Sequence, residues 1–273
     1  MKISKITTQK KNKNRFNIFE SLNGKDEYTF SVHEDILIRF HLRKGLELTE
    51  EQVKEIKEQD AIYQYYTLSI NYLSYRMRAK SEIIDYLKEK EAIPEAIDTV
   101  IHKLENEKLI DDLQFSKAYV RTKMNTSSKG PNKIKQELIQ KRIPDVYIEE
   151  ALSEYSVEKE VDKVVKMMEK KLSTTSRKKS FQQQLIQLKQ SLIQKGFTQG
   201  AIELASQEVD LTVNDDEEMD AIRYQGEKVW TKQARKHEGF QLKQKVMASL
   251  YQKGFSMDLI NRFLDEKEEK EEE

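Results

Sequence analysis

SLIQKGFTQGAI at residues 191–202 and SLYQKGFSMDLI at 249–260 share seven of twelve positions at a spacing of 58 residues. Such a duplication decides the fold, because repeated units pack neighbour on neighbour and not around one deep core. The same plan recurs, with weaker identity, in YLKEKEAIPEAI (86–97) and ELIQKRIPDVYI (137–148). Its leucine anchors are Leu87, Leu138, Leu192 and Leu250, and an isoleucine follows each one ten residues on, at Ile97, Ile148, Ile202 and Ile260. Between them falls a bulky apolar residue, Ile143, Phe197 or Phe255, and in the first copy Ile93, displaced by one position. The chain carries four copies.

Each copy reads as two helices and a tight turn. The leucine ends an amphipathic helix, as in IKQELIQK, where Ile134 and Leu138 share a face by i,i+4 spacing. Gly196 and Gly254 stand where a helix C-terminus asks for a left-handed residue. Pro94 and Pro144 suit the first position of the next helix. A third helix follows the first three copies, in DDLQFSKAYVRTKM, EKEVDKVVKMMEKK and DEEMDAIRYQGEKVW; the fourth copy runs into the acidic tail, so its third helix is expected to be missing or frayed. Helices this short depend on their neighbours.

The first 32 residues differ. KISKITTQ, RFNIFESL and DEYTFSVH alternate in the manner of strands, and Asn23-Gly24 is a hairpin pair. A small β-meander is expected, packed on the helix DILIRFHL (35–42), since so small a sheet is marginal alone. Thr49 and Gln52 are spaced as a capping box for the helix that follows. The fold class is therefore mainly α: tandem three-helix repeats in an elongated array behind a small β-meander and helix. The limits read from sequence are 1–60 for the N-terminal segment, repeats at 61–125, 126–175 and 176–236, a partial fourth at 237–264, and a tail at 265–273.

Composition agrees with thin helical layers: 35% charged residues, 37% hydrophobic residues and a mean hydropathy of −0.80. Without cysteine there is no disulfide framework, cysteine-bound zinc or thiol catalysis. Neither a signal peptide nor a long apolar run is visible, and a soluble, cytoplasmic, monomeric protein away from membranes is expected. The formal charge is zero, yet it is segregated. Residues 117–142 hold eight basic side chains and one acid, Glu137; 166–195 repeat that balance with Glu169; acids gather at 214–220 and 265–273. Either the charged runs are solvated helix faces or they address a polyanion or a complementary protein.

Reactive motifs are scarce. Asp111 and Asp112 read as helix-capping residues and not as a metal or acid–base pair. His33, His41, His102 and His237 form no ligand pair at helical spacing, and no phosphate loop, nucleophile elbow or zinc-helix motif occurs. No catalytic residue, cofactor or metal is expected. Tyr63, Tyr66, Ile70 and Leu73 have core spacing, so packing is the first account of the tyrosine run; bases stacking on exposed tyrosines beside Arg76 and Arg78 is the other.

Residues 72–152 resemble the RecX family of recombination regulators, in the long form of Gram-positive bacteria. The resemblance is carried by Arg76, Arg78, Ser81, the Ile110-Asp111-Asp112 run with Phe115, the Tyr119-Val120-Arg121 run, and Gly130, Ile134, Leu138, Ile143, Ile148 and Leu152. Departures are Ala79-Lys80-Ser81, the shift at Ile93, and Lys141-Arg142 where Lys-Gly is usual. The resemblance implies three-helix repeats without catalysis, binding to RecA and its filament on single-stranded DNA, and restraint of its ATPase, strand-exchange and coprotease activities. From charge density, the expected partner-binding residues are Arg76, Arg78, Lys117, Arg121, Lys123, Lys129, Lys133, Lys135, Lys141 and Arg142. A direct single-stranded nucleic-acid-binding module is the alternative, with weak DNA binding expected because acidic segments oppose the phosphates.

Overall fold

Alternating runs at the N-terminus pair as a meander. Strands β1 (Ile3–Thr8), β2 (Arg15–Leu22) and β3 (Lys25–His33) form an antiparallel sheet in that order. Its second hairpin closes Leu22 against Lys25 across Asn23 and Gly24, at φ 52° and 78°. Two successive positive φ values match the right-handed twist of the strands they join. The structure, a computed structural model, describes residues 1–173, 178–209, 212 and 214–272, with side chains described through residue 269.

The chain divides into two compact units, residues 1–116 with 141–147, and residues 117–140 with 148–273. In the first unit, Ile3, Ile18, Phe30 and Val32 of the sheet bury against Ile36 of α1 (Glu34–Arg39) and Ile56 of α2 (Glu50–Ser74). Thr49 and Gln52 form the expected capping box: each side chain takes the other's backbone N–H, at 3.2 and 2.9 Å. Asp60, buried on α2, ties the sheet to that helix, accepting from Arg15 Nη2 at 2.8 Å, His33 N at 2.7 Å and Gln64 Nε2 at 2.7 Å. The second half of α2 packs on α3 (Lys80–Glu89) and α4 (Pro94–Asn106). There Tyr66, Ile70 and Leu73 meet Ile83, Leu87, Val100, Ile101 and Leu104. Core packing accounts for these tyrosines, and Tyr63 lies on the sheet's core.

Helix α5 (Asp112–Thr126) starts in the first unit and ends in the second. The second unit continues with α6 (Pro131–Gln140), α7 (Asp145–Leu152), α8 (Val157–Leu172), α9 (Phe181–Gln194), α10 (Gln199–Glu208), α11 (Asp215–Gln233), α12 (Gly239–Gln252) and α13 (Met257–Glu272). Val161, Val164 and Met168 of α8 bury against Leu188, Leu192, Phe197, Ala201, Ile202 and Ala205. Met219, Ile222 and Val229 of α11 bury against Leu242, Val246, Leu250, Phe255, Ile260 and Phe263. Packing thus groups α2, α8 and α11 each with the pair that follows it, whereas the sequence reading placed the long helix after the pair. The fourth pair lacks nothing: α11 completes it.

All eight anchor residues are buried. Four residues after each leucine the backbone turns left-handed: Glu91 (φ 61°), Arg142 (57°), Gly196 (86°) and Gly254 (83°). That residue sets the register, so the apolar seat lies at the next position and is filled by Ala92, Ile143, Phe197 and Phe255. The expectation for Ile93 fails: it caps α4 with extended backbone and is 59% exposed. Pro94 opens α4 as expected, but Pro144 stands one residue before the start of α7.

One joint recurs between successive pairs. Ser81 Oγ of α3 donates to the Lys141 carbonyl at 2.5 Å, the Gly130 N–H before α6 donates to the Lys195 carbonyl at 2.9 Å, and Ser180 Oγ before α9 donates to the Lys253 carbonyl. Each acceptor directly precedes the left-handed residue of the next turn. Gly130 and Gly196 approach so closely that a Cβ on either would meet backbone atoms, of Gly196 and Phe197 or of Lys133.

Candidate partner-binding surface

Basic side chains at 117–142 are held mostly by carboxylates from a neighbouring helix. On α5, Lys117 Nζ lies 2.6 Å from Glu150, and Arg121 grips both oxygens of Glu154 at 2.6 and 2.7 Å. The two pairs match because residues 117 and 121 share one face of α5 while 150 and 154 share one face of the chain leaving α7. Lys129 Nζ pairs with Glu137, which also accepts from Tyr119 Oη at 2.8 Å. Burial raises the Glu137 carboxyl, but Lys129 and Tyr119 outweigh it and leave its pKa lowered. Lys123 Nζ sits 5.1 Å from the centre of the Tyr119 ring.

A second cluster gathers Arg76, Lys141 and Arg142 around acids of α3. Arg76 Nη2 and Lys141 Nζ lie 2.8 and 3.2 Å from the Glu82 carboxylate, and Arg142 pairs with Asp85. Burial pushes Glu82 up, but Arg76, the Ala79 N–H and Lys141 hold it at about 2. Arg78 is structural in its contacts: its guanidinium lies 3.4 Å from the centre of the Tyr72 ring and donates to the Tyr72 carbonyl at 3.0 Å. Of the ten basic residues expected at a partner interface, Lys133 and Lys135 of α6 have no ionic or ring partner among the described residues. Sequence reading missed these pairings because the acids lie 33 positions away for both Lys117 and Arg121.

Asp111 and Asp112 cap different helices. Asp111 Oδ1 accepts from Gln114 N at 2.9 Å and caps its own α5, while Asp112 Oδ1 accepts from Lys80 N at 2.8 Å and caps α3. Burial raises the Asp112 carboxyl. His33 caps α1, accepting from Asp35 N at 3.2 Å, and stacks on Tyr63 at 4.3 Å. Among the described residues, no group of three or more His, Cys, Asp or Glu could hold a metal ion, and no helix is long and apolar enough to cross a membrane.

These features define a tandem three-helix-repeat protein with an N-terminal sheet. Known families place it further. Residues 1–49 match the "Regulatory protein RecX N-terminal domain", and 66–104, 111–152 and 215–264 match the first, second and third RecX three-helix domains. The matched stretches leave α8, α9 and α10 between the second and third. A "Regulatory protein RecX" of Oceanobacillus iheyensis is 48% identical over 266 residues, 97% of each chain. Its counterpart in Halalkalibacterium halodurans is 41% identical over 264 residues, 97% of this chain and 99% of the relative. A crystal structure of regulatory protein RecX superposes with a TM-score of 0.65 at 37% identity, covering 76% of this chain and 98% of that one. The chain belongs to the RecX family of regulatory proteins.

Proposed function

We propose that the protein binds RecA and its filament on single-stranded DNA and restrains the filament's ATPase, strand-exchange and coprotease activities. Family membership across nearly the whole chain carries this reading, because proteins named as RecX regulators align from end to end. The tandem pairs support it: stacked units offer equivalent positions to a partner that itself repeats. Among the expected contact residues, Lys133 and Lys135 are favoured, since their charges are not consumed within the protein.

Direct binding to single-stranded DNA is the second reading, and the ion pairs argue against its being tight. A strand neutralised by eight lysines or arginines would lose about 10³–10⁵ in affinity between 50 and 200 mM salt. With Lys117, Arg121, Lys129, Lys141 and Arg142 already paired, a shallow salt slope is expected. RecA's DNA-dependent ATPase, titrated with the protein from far below to equal stoichiometry, tests the first reading, and inhibition is expected. Unchanged ATPase together with tight, steeply salt-dependent binding to single-stranded DNA alone would reverse the preference.

A further inference from the structure

One position after each anchor leucine lies a residue that the packing leaves out. In the second, third and fourth pairs it is Ile139, Ile193 and Tyr251, exposed by 49%, 54% and 63%. A lone exposed apolar side chain needs no explanation. Three at one register of three successive pairs form a pattern, and burying none of them is wasteful unless something else covers them. The same three helices share a bias in charge. Helices α6, α9 and α12 contain a single carboxylate, Glu137, which Tyr119 and Lys129 occupy, whereas α3 alone contains Glu82, Asp85 and Glu89. Lys135 and Lys189 each precede the exposed isoleucine by four residues, on the same helix face. Lys245 stands on α12, and none of these three lysines has an ionic partner among the described residues.

We infer that the outer faces of α6, α9 and α12 form a repeated docking surface for carboxylate-bearing subunits of a protein filament. Ile139, Ile193 and Tyr251 make its apolar contacts, and Lys135, Lys189 and Lys245 its ionic ones. The assignment rests on the RecA reading above and adds to it the residues that touch the partner. Phosphates would engage the lysines but leave two branched aliphatic side chains idle, so a protein surface fits better than nucleic acid. A single carboxylate across these three helices, Glu137, already occupied by Tyr119 and Lys129, fits an acidic partner, which further acids there would repel.

The test uses the full chain carrying Ile139→Ser, Ile193→Ser and Tyr251→Ser together, with co-sedimentation on RecA–single-stranded DNA filaments and ATPase inhibition as readouts. Each substitution is expected to weaken half-inhibition about five-fold and the three together on the order of a hundredfold, since sites on separate pairs act independently. A control with Ile38→Ser and Val157→Ser, exposed apolar residues off these helices, is expected to match the wild type. Should the triple variant lose its helical circular dichroism, Lys135→Glu, Lys189→Glu and Lys245→Glu in a folded chain serve in its place, with the same loss expected. Wild-type potency in the folded variant, or an equal loss in the control, overturns the surface. So does a loss that tracks binding to naked single-stranded DNA. A wild type that ignores the filament sinks the RecA reading itself, which a binding wild type beside an equally potent variant does not.

Discussion

Asp60 shows how much one carboxylate can hold. Three donors converge on it, two from the sheet and one from its own helix, and Arg15 is itself largely buried beside Ser31. Asp60→Ala would leave the guanidinium without its counter-charge, a change that costs about 3–5 kcal/mol when the pair is buried. Chemical denaturation followed by circular dichroism should show the lower stability, and Asp60→Asn should lose less. Arg142 carries the opposite lesson. It sits at φ 57°, where a Cβ is costly, and its pair with Asp85 is half-exposed on both sides. Relieving left-handed strain is worth about 1 kcal/mol, and exposed ion pairs contribute about 0–1 kcal/mol. Arg142→Gly is therefore expected to leave stability unchanged or to raise it slightly, as a thermal melt would register.

At the scale of the element, the turn between paired helices is the unit of construction. The anchors were legible in the sequence because leucine and isoleucine ten apart leave a hydrophobic trace. The seat between them was not legible in the first pair. Bulk at Ile93 suggested it, but a left-handed Glu91 places Ala92 there instead. Neither Glu91 nor Arg142 announces its backbone by residue type, whereas Gly196 and Gly254 do. The capping box at Thr49 was readable because its partners lie three residues apart. Asp112 capping α3, and the carboxylates that neutralise α5, depend on packing between helices distant in sequence, which no local pattern encodes. Within this frame, Gly196→Ala combines a forbidden φ with a collision against the Lys133 backbone. A loss of about 2–4 kcal/mol is expected in urea titration, larger than for substitution of Arg142 at the same register.

At the scale of the molecule, the described residues bury in several distinct clusters. The sheet with α1 and α2 has its own, as have α8 with its pair and α11 with its pair. The single tryptophan, Trp230, packs on the last of these and reports only on it. Tryptophan fluorescence and far-ultraviolet circular dichroism should therefore give non-coincident denaturation midpoints, because a chain with separate cores departs from two-state behaviour. Coincident curves would mean one cooperative fold. The joint between pairs has a further bearing on how such a chain can have grown. Its acceptor is always a main-chain carbonyl, and its donor a serine hydroxyl or a bare N–H. A carbonyl is present whatever side chain drifts into that place, so a segment duplicated in phase arrives with its socket already cut. Gene length then becomes a dial: an ancestor could gain or shed one helical pair in a single event, without first inventing a new interface.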